Sequence, residues 1–161
     1  MSIATLGEDA LSKAGIETVK DLADAVPGLV VTERGPGAAG YFIRGIGNAN
    51  GSQQPLVSIY LDDADVTSSG AAQLDLRLVD LARVEVLKGP QGTLYGQGAA
   101  GGAIRFITND PRLNEFSGSA DVQAYFTRHG DPSQQISSVL NIPIVDDELA
   151  VRPIWRRKSV V

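Results

Sequence analysis

The first thirty residues carry the hydrophobic spacing of two short helices. The first helix is predicted over residues 8–14, and Gly15 follows it in the position that glycine favours just beyond a helix. Thr18 and Asp21 form a capping-box pattern ahead of apolar residues at helical spacing, and Pro27 with Gly28 predicts the end of the second helix. The pattern therefore predicts two short helices near the start of the chain.

From residue 29 the pattern changes to short β-rich runs, which are LVVT, YFIRGI, LVSIYL, RVEVL and AIRFIT. Segments rich in Gly, Ser, Asn and Gln separate these runs, and glycines cluster at residues 35–51 and 89–102. Residues 73–81 (QLDLRLVDL) are compatible with a short helix or with a strand, and a helix is the prediction. The pattern indicates an α+β domain with a small mixed sheet, short helices and long Gly-rich loops.

A strict alternation of apolar and polar residues begins after Pro111. Residues 116–127 alternate throughout, residues 135–144 form a weaker run, and a polar turn at residues 145–148 joins that run to a third short strand ending at Arg152. Long antiparallel strands with one apolar face suit an outer-membrane barrel, although a soluble sandwich has the same period. Residues 153–161 break the pattern, because Pro153 and the sequence WRRK interrupt it, and no strand is predicted there.

Composition narrows the possible functions. The 161 residues are 43% hydrophobic and 20% charged, as in folded domains. A net charge of −5 with scattered basic residues argues against nucleic-acid binding. The absence of Cys excludes disulfides and thiolate metal sites. The sequence as written shows neither a signal peptide nor an apolar run of the roughly 18 residues that a membrane helix needs.

No cofactor or metal site is expected from the motifs. The residues GQGAAG at 96–101 match a dinucleotide-binding pattern, but β-type sequence follows them where a helix should begin. Lys88 precedes its glycines, against the order of a phosphate-binding loop. Asp62, Asp63 and Asp65 lack the spacing of a calcium loop and are predicted to form a hairpin turn.

Catalysis is not expected either. His129 is the single histidine and lies in a predicted turn, and the chain has no Gly-x-Ser-x-Gly motif. An acid, a base and a nucleophile cannot be assembled from these residues, so the chain is predicted not to be an enzyme.

Three sequence motifs, in this order along the chain, resemble those of a known protein family. They are FIRGIG at residues 42–47, PLVSIYLD at 55–62, and RVEVLKGPQGTLYG at 83–96 followed by AGGAIRFIT at 100–108. Together they resemble the plug domain of TonB-dependent outer-membrane receptors. The resemblance implies a plug over residues 1–110, the first two or three antiparallel strands of a transmembrane β-barrel over 111–152, and an off-pattern tail over 153–161.

The resemblance implies transport across the outer membrane. Its partners would be the barrel of the parent receptor, the TonB energy-transducing complex, and a scarce nutrient such as a ferric siderophore. It also implies site residues: Arg44 and Arg83 match plug arginines that pair with barrel glutamates. The residues expected to face the substrate are Asn48, Asn50, Gln53, Gln54, Thr67, Ser68 and Ser69.

The sequence departs from the family pattern because a signal peptide, a TonB box and most barrel strands are not recognisable. From these departures we expect a transport-incompetent fragment of a receptor, with residues 6–110 folded and the residues beyond Glu115 frayed. The alternative is a free-standing periplasmic module that uses the plug fold to bind a ligand or to signal.

Overall fold

The structure is a computed structural model, and it describes residues 2–16, 18–35, 38–47, 55–68, 73–74, 79–92, 99–126 and 133–160. The chain divides into two compact units, Met1–Thr108 and Asn109–Val161. The first unit contains helices α1 (Glu8–Lys13) and α2 (Val19–Ala25). Its strands are β1 (Ser2–Gly7), β2 (Leu29–Gly35), β3 (Ala38–Ile43), β4 (Ile46–Gly47), β5 (Val57–Leu61), β6 (Ala64–Asp65), β7 (Gln73–Leu74), β8 (Leu81–Lys88) and β9 (Gly102–Thr108). The second unit contains β10 (Ser117–Tyr125), β11 (Ser133–Val145), β12 (Leu149–Val151) and β13 (Ile154–Val160).

The two helices form where the sequence predicts them. Gly15 follows α1 with a φ of 63°, a conformation that glycine adopts without steric cost. At the start of α2 the Thr18 hydroxyl accepts a hydrogen bond from the Asp21 amide at 3.3 Å, and the Asp21 carboxylate accepts one from the Thr18 amide at 2.8 Å. These two bonds satisfy amides that would otherwise lack a partner. The predicted capping box is confirmed.

Five strands of the first unit form a mixed sheet in the order β1-β8-β9-β5-β6. The pair β9 and β5 is parallel, and the other neighbouring pairs are antiparallel. Apolar residues at alternate positions of the three central strands point into the core, and α2 contributes to the same core. The buried residues are Val57, Ile59, Val84, Val86, Ile104, Phe106, Val19 and Leu22.

The second sheet of this unit is built around β3. Strand β2 pairs with one edge of β3 along its length, while β4 and β7 each contribute a short pairing. Tyr41 and Ile43 of β3 are 1% and 0% exposed. Small mixed sheets with short helices agree with the predicted fold of this part of the chain.

The helix predicted over residues 73–81 is wrong at both ends. Gln73 and Leu74 pair with Ala39 and Ala38, and Leu81 begins β8; residues 75–78 lie outside the described part. The buried amide of Gln73 accepts a hydrogen bond from the backbone amide of Ser68 and donates one to its carbonyl. The pairing with the distant strand β3 favours the extended backbone, and local spacing cannot reveal it.

The second unit is an antiparallel sheet in which β10 pairs with one edge of β11, and β12 and β13 pair with the other. The predicted alternation is present, and several large apolar side chains on one face are exposed. Their exposed fractions are Phe116 72%, Val122 70%, Phe126 83%, Leu140 43% and Ile144 56%. The opposite face contains the buried amides of Asn141 and Gln135.

The expectation that residues 153–161 form no strand is wrong, because Ile154–Val160 is β13 and pairs with residues 133–139 of β11. Pro153 separates β12 from β13, but its carbonyl accepts a hydrogen bond from the Leu140 amide at 3.1 Å. The backbone hydrogen bonding along β11 therefore continues past the proline, whose missing amide costs a single hydrogen bond. Within the described residues, no helix combines the length and apolar character needed to cross a membrane.

We expect Gly102→Ala to destabilise the first unit. Gly102 has a φ of 145°, and an added Cβ would lie 2.3 Å from the Leu87 carbonyl oxygen. Strain and overpacking together should lower the free energy of unfolding by about 2–4 kcal/mol in urea titrations. Gly92→Ala is the control, since its Cβ would meet nothing within 4 Å and should change stability by less than about 0.5 kcal/mol. Equal effects of the two variants would contradict this packing.

A second prediction concerns the exposed pair Lys20 and Glu33, which joins α2 to β2 with an Nζ to Oε1 distance of 2.7 Å. The hydrogen bond and charge of Lys20 lower the pKa of Glu33 below its ordinary value of 4.5. The associated stabilisation is therefore present above that value and is lost as the pH falls through the lowered pKa. In NMR titrations Lys20→Met should return the pKa of Glu33 toward 4.5, whereas Lys13→Met should not change it.

Candidate functional site

A row of four charged side chains crosses the first sheet on the face opposite the core. The Arg83 Nε lies 2.8 Å from Glu85 Oε1 on β8, and Arg105 Nη1 of β9 lies 3.0 Å from Glu85 Oε2. Arg105 Nη2 also lies 3.3 Å from Asp63 Oδ1 in the turn between β5 and β6. We call Arg83, Glu85, Arg105 and Asp63 the charged ladder.

The register of the sheet produces the ladder. Glu85 lies directly opposite Arg105 in the antiparallel pair of β8 and β9, so their side chains share one face. The intervening residues Val84 and Val86 point into the core and are 0% and 1% exposed. The hydrophobic alternation that builds the core thus also fixes the positions of the charges.

Solvent exposure is graded along the ladder. The side chains of Glu85 and Arg105 are 18% and 22% exposed, whereas those of Arg83 and Asp63 are 47% and 100% exposed. The central pair is therefore shielded most, and ion pairs at the two ends are more strongly screened by water. The Glu85 carboxylate contacts two guanidinium groups and the Arg105 guanidinium contacts two carboxylates, so the four charges of the ladder balance.

The structure places Arg44 in a different position from Arg83. Arg44 lies in the turn between β3 and β4 with a φ of 53°, and its amide donates a hydrogen bond to the Gly28 carbonyl at 2.7 Å. Gly45 follows with a φ of 81°, so the two residues form a tight turn with positive φ at both positions. Both arginines expose their side chains, Arg44 at a hairpin turn and Arg83 near the start of β8.

Two of the predicted loop residues have structural partners. The Thr67 hydroxyl accepts a hydrogen bond from the Ile59 amide at 2.8 Å and donates one to its carbonyl at 3.3 Å. The Ser68 backbone is held by the Gln73 amide at 2.9 and 2.7 Å. These bonds fix the segment that follows β6. The remaining candidates lie outside the described residues: Asn48, Asn50, Gln53, Gln54 and Ser69.

The three aspartates near β6 have turn and cross-strand contacts. Asp62 has a φ of 52° and accepts hydrogen bonds from Thr108, while Asp65 accepts one from the Thr67 amide. Asp63 contacts Arg105. The predicted hairpin turn between β5 and β6 is confirmed.

Sequence reasoning did not identify Glu85 or Arg105 as parts of a site. The local sequence gives one sign of their role, which is that each is a charged residue inside an otherwise apolar β-run. Their contact depends on pairing between strands 20 residues apart, and that register becomes visible only in the fold.

The charged ladder predicts which of two substitutions lowers the free energy of unfolding more. Arg105→Met removes the guanidinium that contacts both Glu85 and Asp63, and it should lower the free energy of unfolding by about 1–2 kcal/mol. Arg83→Met is the matched control, because Arg83 is more exposed than Arg105, and it should cost less than about 1 kcal/mol. Chemical denaturation of both variants tests the order. A larger loss for Arg83→Met would show that the ladder is not organised around the shielded pair.

Comparison with known proteins identifies relatives of the first unit. The family model described as the TonB-dependent Receptor Plug Domain matches residues 1–103. The pesticin receptor of Yersinia pestis is 36% identical over 102 residues, which are 63% of this chain and 15% of that receptor. The chain therefore spans a small part of the length of this relative.

Solved structures show the same fold. The ferric yersiniabactin uptake receptor FyuA from Yersinia pestis aligns with a TM-score of 0.61 at 27% identity, covering 87% of this chain and 24% of that one. The ferripyoverdine receptor of the outer membrane of Pseudomonas aeruginosa aligns with a TM-score of 0.76 at 20% identity, covering 98% of this chain and 20% of that one. These relatives are receptors, and one of them is located in the outer membrane. The chain belongs to the TonB-dependent receptor plug domain family.

Proposed function

We propose that the first unit is the gate of an energy-coupled outer-membrane importer for a scarce nutrient such as a ferric siderophore. The observation that carries this proposal is the match of the plug family to residues 1–103. It is supported by relatives whose names describe uptake, including the ferric yersiniabactin uptake receptor FyuA and the catecholate siderophore receptor Fiu of Escherichia coli.

The second unit would supply the first strands of the barrel around the plug. Strand β10 has 9 residues and β11 has 13, whereas a tilted strand needs about 9–11 residues to cross the hydrocarbon layer. Their exposed apolar face would meet lipid, and the face with Asn141 and Gln135 would meet the interior. Four strands cannot close a barrel that surrounds a plug, so transport by these 161 residues alone is not expected.

Arg44 and Arg83 would hold the plug in place by pairing with carboxylates of the barrel wall. Both guanidinium groups are exposed, so they can reach an acidic partner. The Arg83 side chain is 47% exposed beside its partner Glu85, so its guanidinium group is accessible from solvent. A carboxylate from the barrel would pair with it there, because bidentate pairing suits guanidinium.

The outer membrane has no nucleotide supply of its own. Release of the plug would therefore require energy supplied from elsewhere. In the proposed mechanism the TonB complex pulls on the plug and weakens the arginine pairs. The amides of Asn48, Asn50, Gln53 and Gln54 and the hydroxyls of Ser68 and Ser69 would contact the nutrient, because such groups can hydrogen-bond a polar ligand without a net charge. The Thr67 hydroxyl would hold its segment to β5.

Replacement of the FyuA plug by residues 1–108 tests the gating proposal. In planar bilayers the chimera should conduct about tenfold less than the plugless barrel, because a seated plug excludes water and ions. Arg44→Ala combined with Arg83→Ala should raise the conductance again. The charge-matched control is Lys13→Ala combined with Lys20→Ala, which removes two exposed helix cations and should leave the channel closed.

The outcomes separate the parts of the proposal. A chimera that conducts like the plugless barrel, while the native plug closes it, would contradict gating by this unit. Equal opening by both double variants would contradict the role of the two arginines and leave gating intact. Tight binding of a ferric siderophore by the 161-residue chain without a barrel would favour the free-standing binding module instead.

A further inference from the structure

Strand β13 adds a tryptophan and an arginine to the exposed apolar face of the second unit. Trp155 lies opposite Ser138 of β11. Arg157 lies opposite Ile136 of β11, which in turn lies opposite Val122 of β10. Residues that are directly opposite in antiparallel strands share a face of the sheet. Trp155 and Arg157 therefore lie on the apolar face, where both side chains are exposed.

The guanidinium group of Arg157 is an unusual feature of this face. None of the ion pairs among the described residues involves Arg157. The carboxylate of Asp121 belongs to the opposite face, because Asp121 precedes Val122 and side chains alternate along a strand. Arg157 is thus a cation beside apolar neighbours, and a partner that covers this face has to accommodate its charge.

The margin of the apolar face runs obliquely across the strands. On β10 the large apolar side chains continue to Phe126, beyond the pairing of Tyr125 with Ser133. On β13 they end at Trp155, which is level with Ser138. Between the two outer strands the margin therefore moves by at least the length of residues 133–138.

An oblique margin is the pattern that a membrane surface produces on tilted strands. Strands of membrane barrels are inclined by about 35–45°, so a membrane surface crosses neighbouring strands at different residues. A residue of β13 can then lie at the membrane surface while the residue opposite it on β11 lies deeper. This geometry allows Arg157 to meet water and lipid headgroups although Ile136 is directly opposite.

The two side chains at the margin suit the boundary between hydrocarbon and headgroups. Tryptophan is enriched at that boundary because its ring is apolar and its N–H can donate a hydrogen bond. Arginine extends its charged end toward the headgroups, and its planar guanidinium group can bind a phosphate through two hydrogen bonds. Trp155 and Arg157 are about 7 Å apart along the strand, so they meet the same narrow zone.

A lipid bilayer fits this margin better than a second copy of the chain. In a symmetric dimer the same face would be present on both sides, so the contact would contain two copies of Arg157 and would bring the carboxylate of Asp121 to neither. A bilayer supplies hydrocarbon for side chains such as Val122 and phosphate for the guanidinium group. Charge complementarity therefore favours lipid.

We propose that Arg157, with Trp155 beside it, binds the phosphodiester of an anionic membrane lipid at the margin of the apolar face. The site rests on the proposed function in one respect, because lipid must cover the apolar face of β10 and β11. The new elements are the position of the membrane surface on β13, the chemical class of the bound headgroup and the residue that binds it.

Vesicles of phosphatidylcholine, with and without phosphatidylglycerol, test the site with the 161-residue chain. Trp155 is the single tryptophan of the sequence, so its fluorescence reports on this margin directly. Binding should shift its emission to shorter wavelength, and lipids brominated near the headgroup should quench it more than lipids brominated near the chain end. The opposite order of quenching, or no shift with either kind of vesicle, would overturn the site.

Variants assign the headgroup preference to one residue. The measured quantity is the affinity for vesicles with phosphatidylglycerol divided by the affinity for phosphatidylcholine vesicles. Arg157→Met should lower this ratio about fivefold, whereas Arg157→Lys should keep it within about twofold. Arg156→Met is the matched control, because Arg156 lies opposite Ser137 on the other face, and it should also change the ratio by less than about twofold. Equal reductions by both methionine variants would overturn the site, because they would indicate general charge attraction.

Two further outcomes separate this site from the alternatives. A dimer of the lipid-free chain, detected by sedimentation and shielding Trp155 from iodide, would assign the margin to a second copy and overturn the site. If the chain binds vesicles but Arg157→Met leaves the ratio unchanged, the phosphate site fails and lipid contact by the apolar face remains. Gating is measured on residues 1–108, which do not include β13, so its failure is distinct from failure of this site.

Discussion

The antiparallel pairing of β8 with β9 is the constraint on which the rest of the first unit depends. One register places Val84 and Val86 against Ile104 and Phe106 in the core, and it places Glu85 opposite Arg105 on the other face. A slip by one residue would expose the apolar set and bury the charges, so hydrophobic burial enforces the position of the ladder. The close approach of β9 to β8 also depends on Gly102, where a side chain would meet the Leu87 carbonyl.

Local sequence signals predicted the elements that form through local interactions. The capping box at Thr18 and the glycine after α1 act within a few residues of their own position, and both are present in the fold. The signals failed where distant partners decide the structure. Gln73 is extended because it pairs with Ala39 of β3, and β13 forms in spite of Pro153 because β11 supplies an edge for it. Neither partner can be recognised from the residues nearby.

The sequence likewise predicted only part of the candidate site. Its motifs identified the family and drew attention to Arg83, which lies at one of the two exposed ends of the ladder. The shielded partners Glu85 and Arg105 became apparent only from the strand register. The resemblance placed Thr67 among the polar residues expected to face the substrate, and its hydroxyl binds the backbone of β5. Polarity alone cannot distinguish a side chain that contacts a ligand from one that completes a turn.

The two units have different requirements for stability, and this difference bears on the function. The first unit encloses its own core, whereas the second exposes Phe116, Val122 and Phe126 on one sheet face and needs an apolar environment to cover them. An electron cryo-microscopy structure of the FyuA barrel with residues 1–108 in place of its plug would show directly whether this unit acts as a plug. We expect the unit inside the barrel, with Arg44 and Arg83 against carboxylates of the wall. A correctly folded barrel with an empty interior would contradict it.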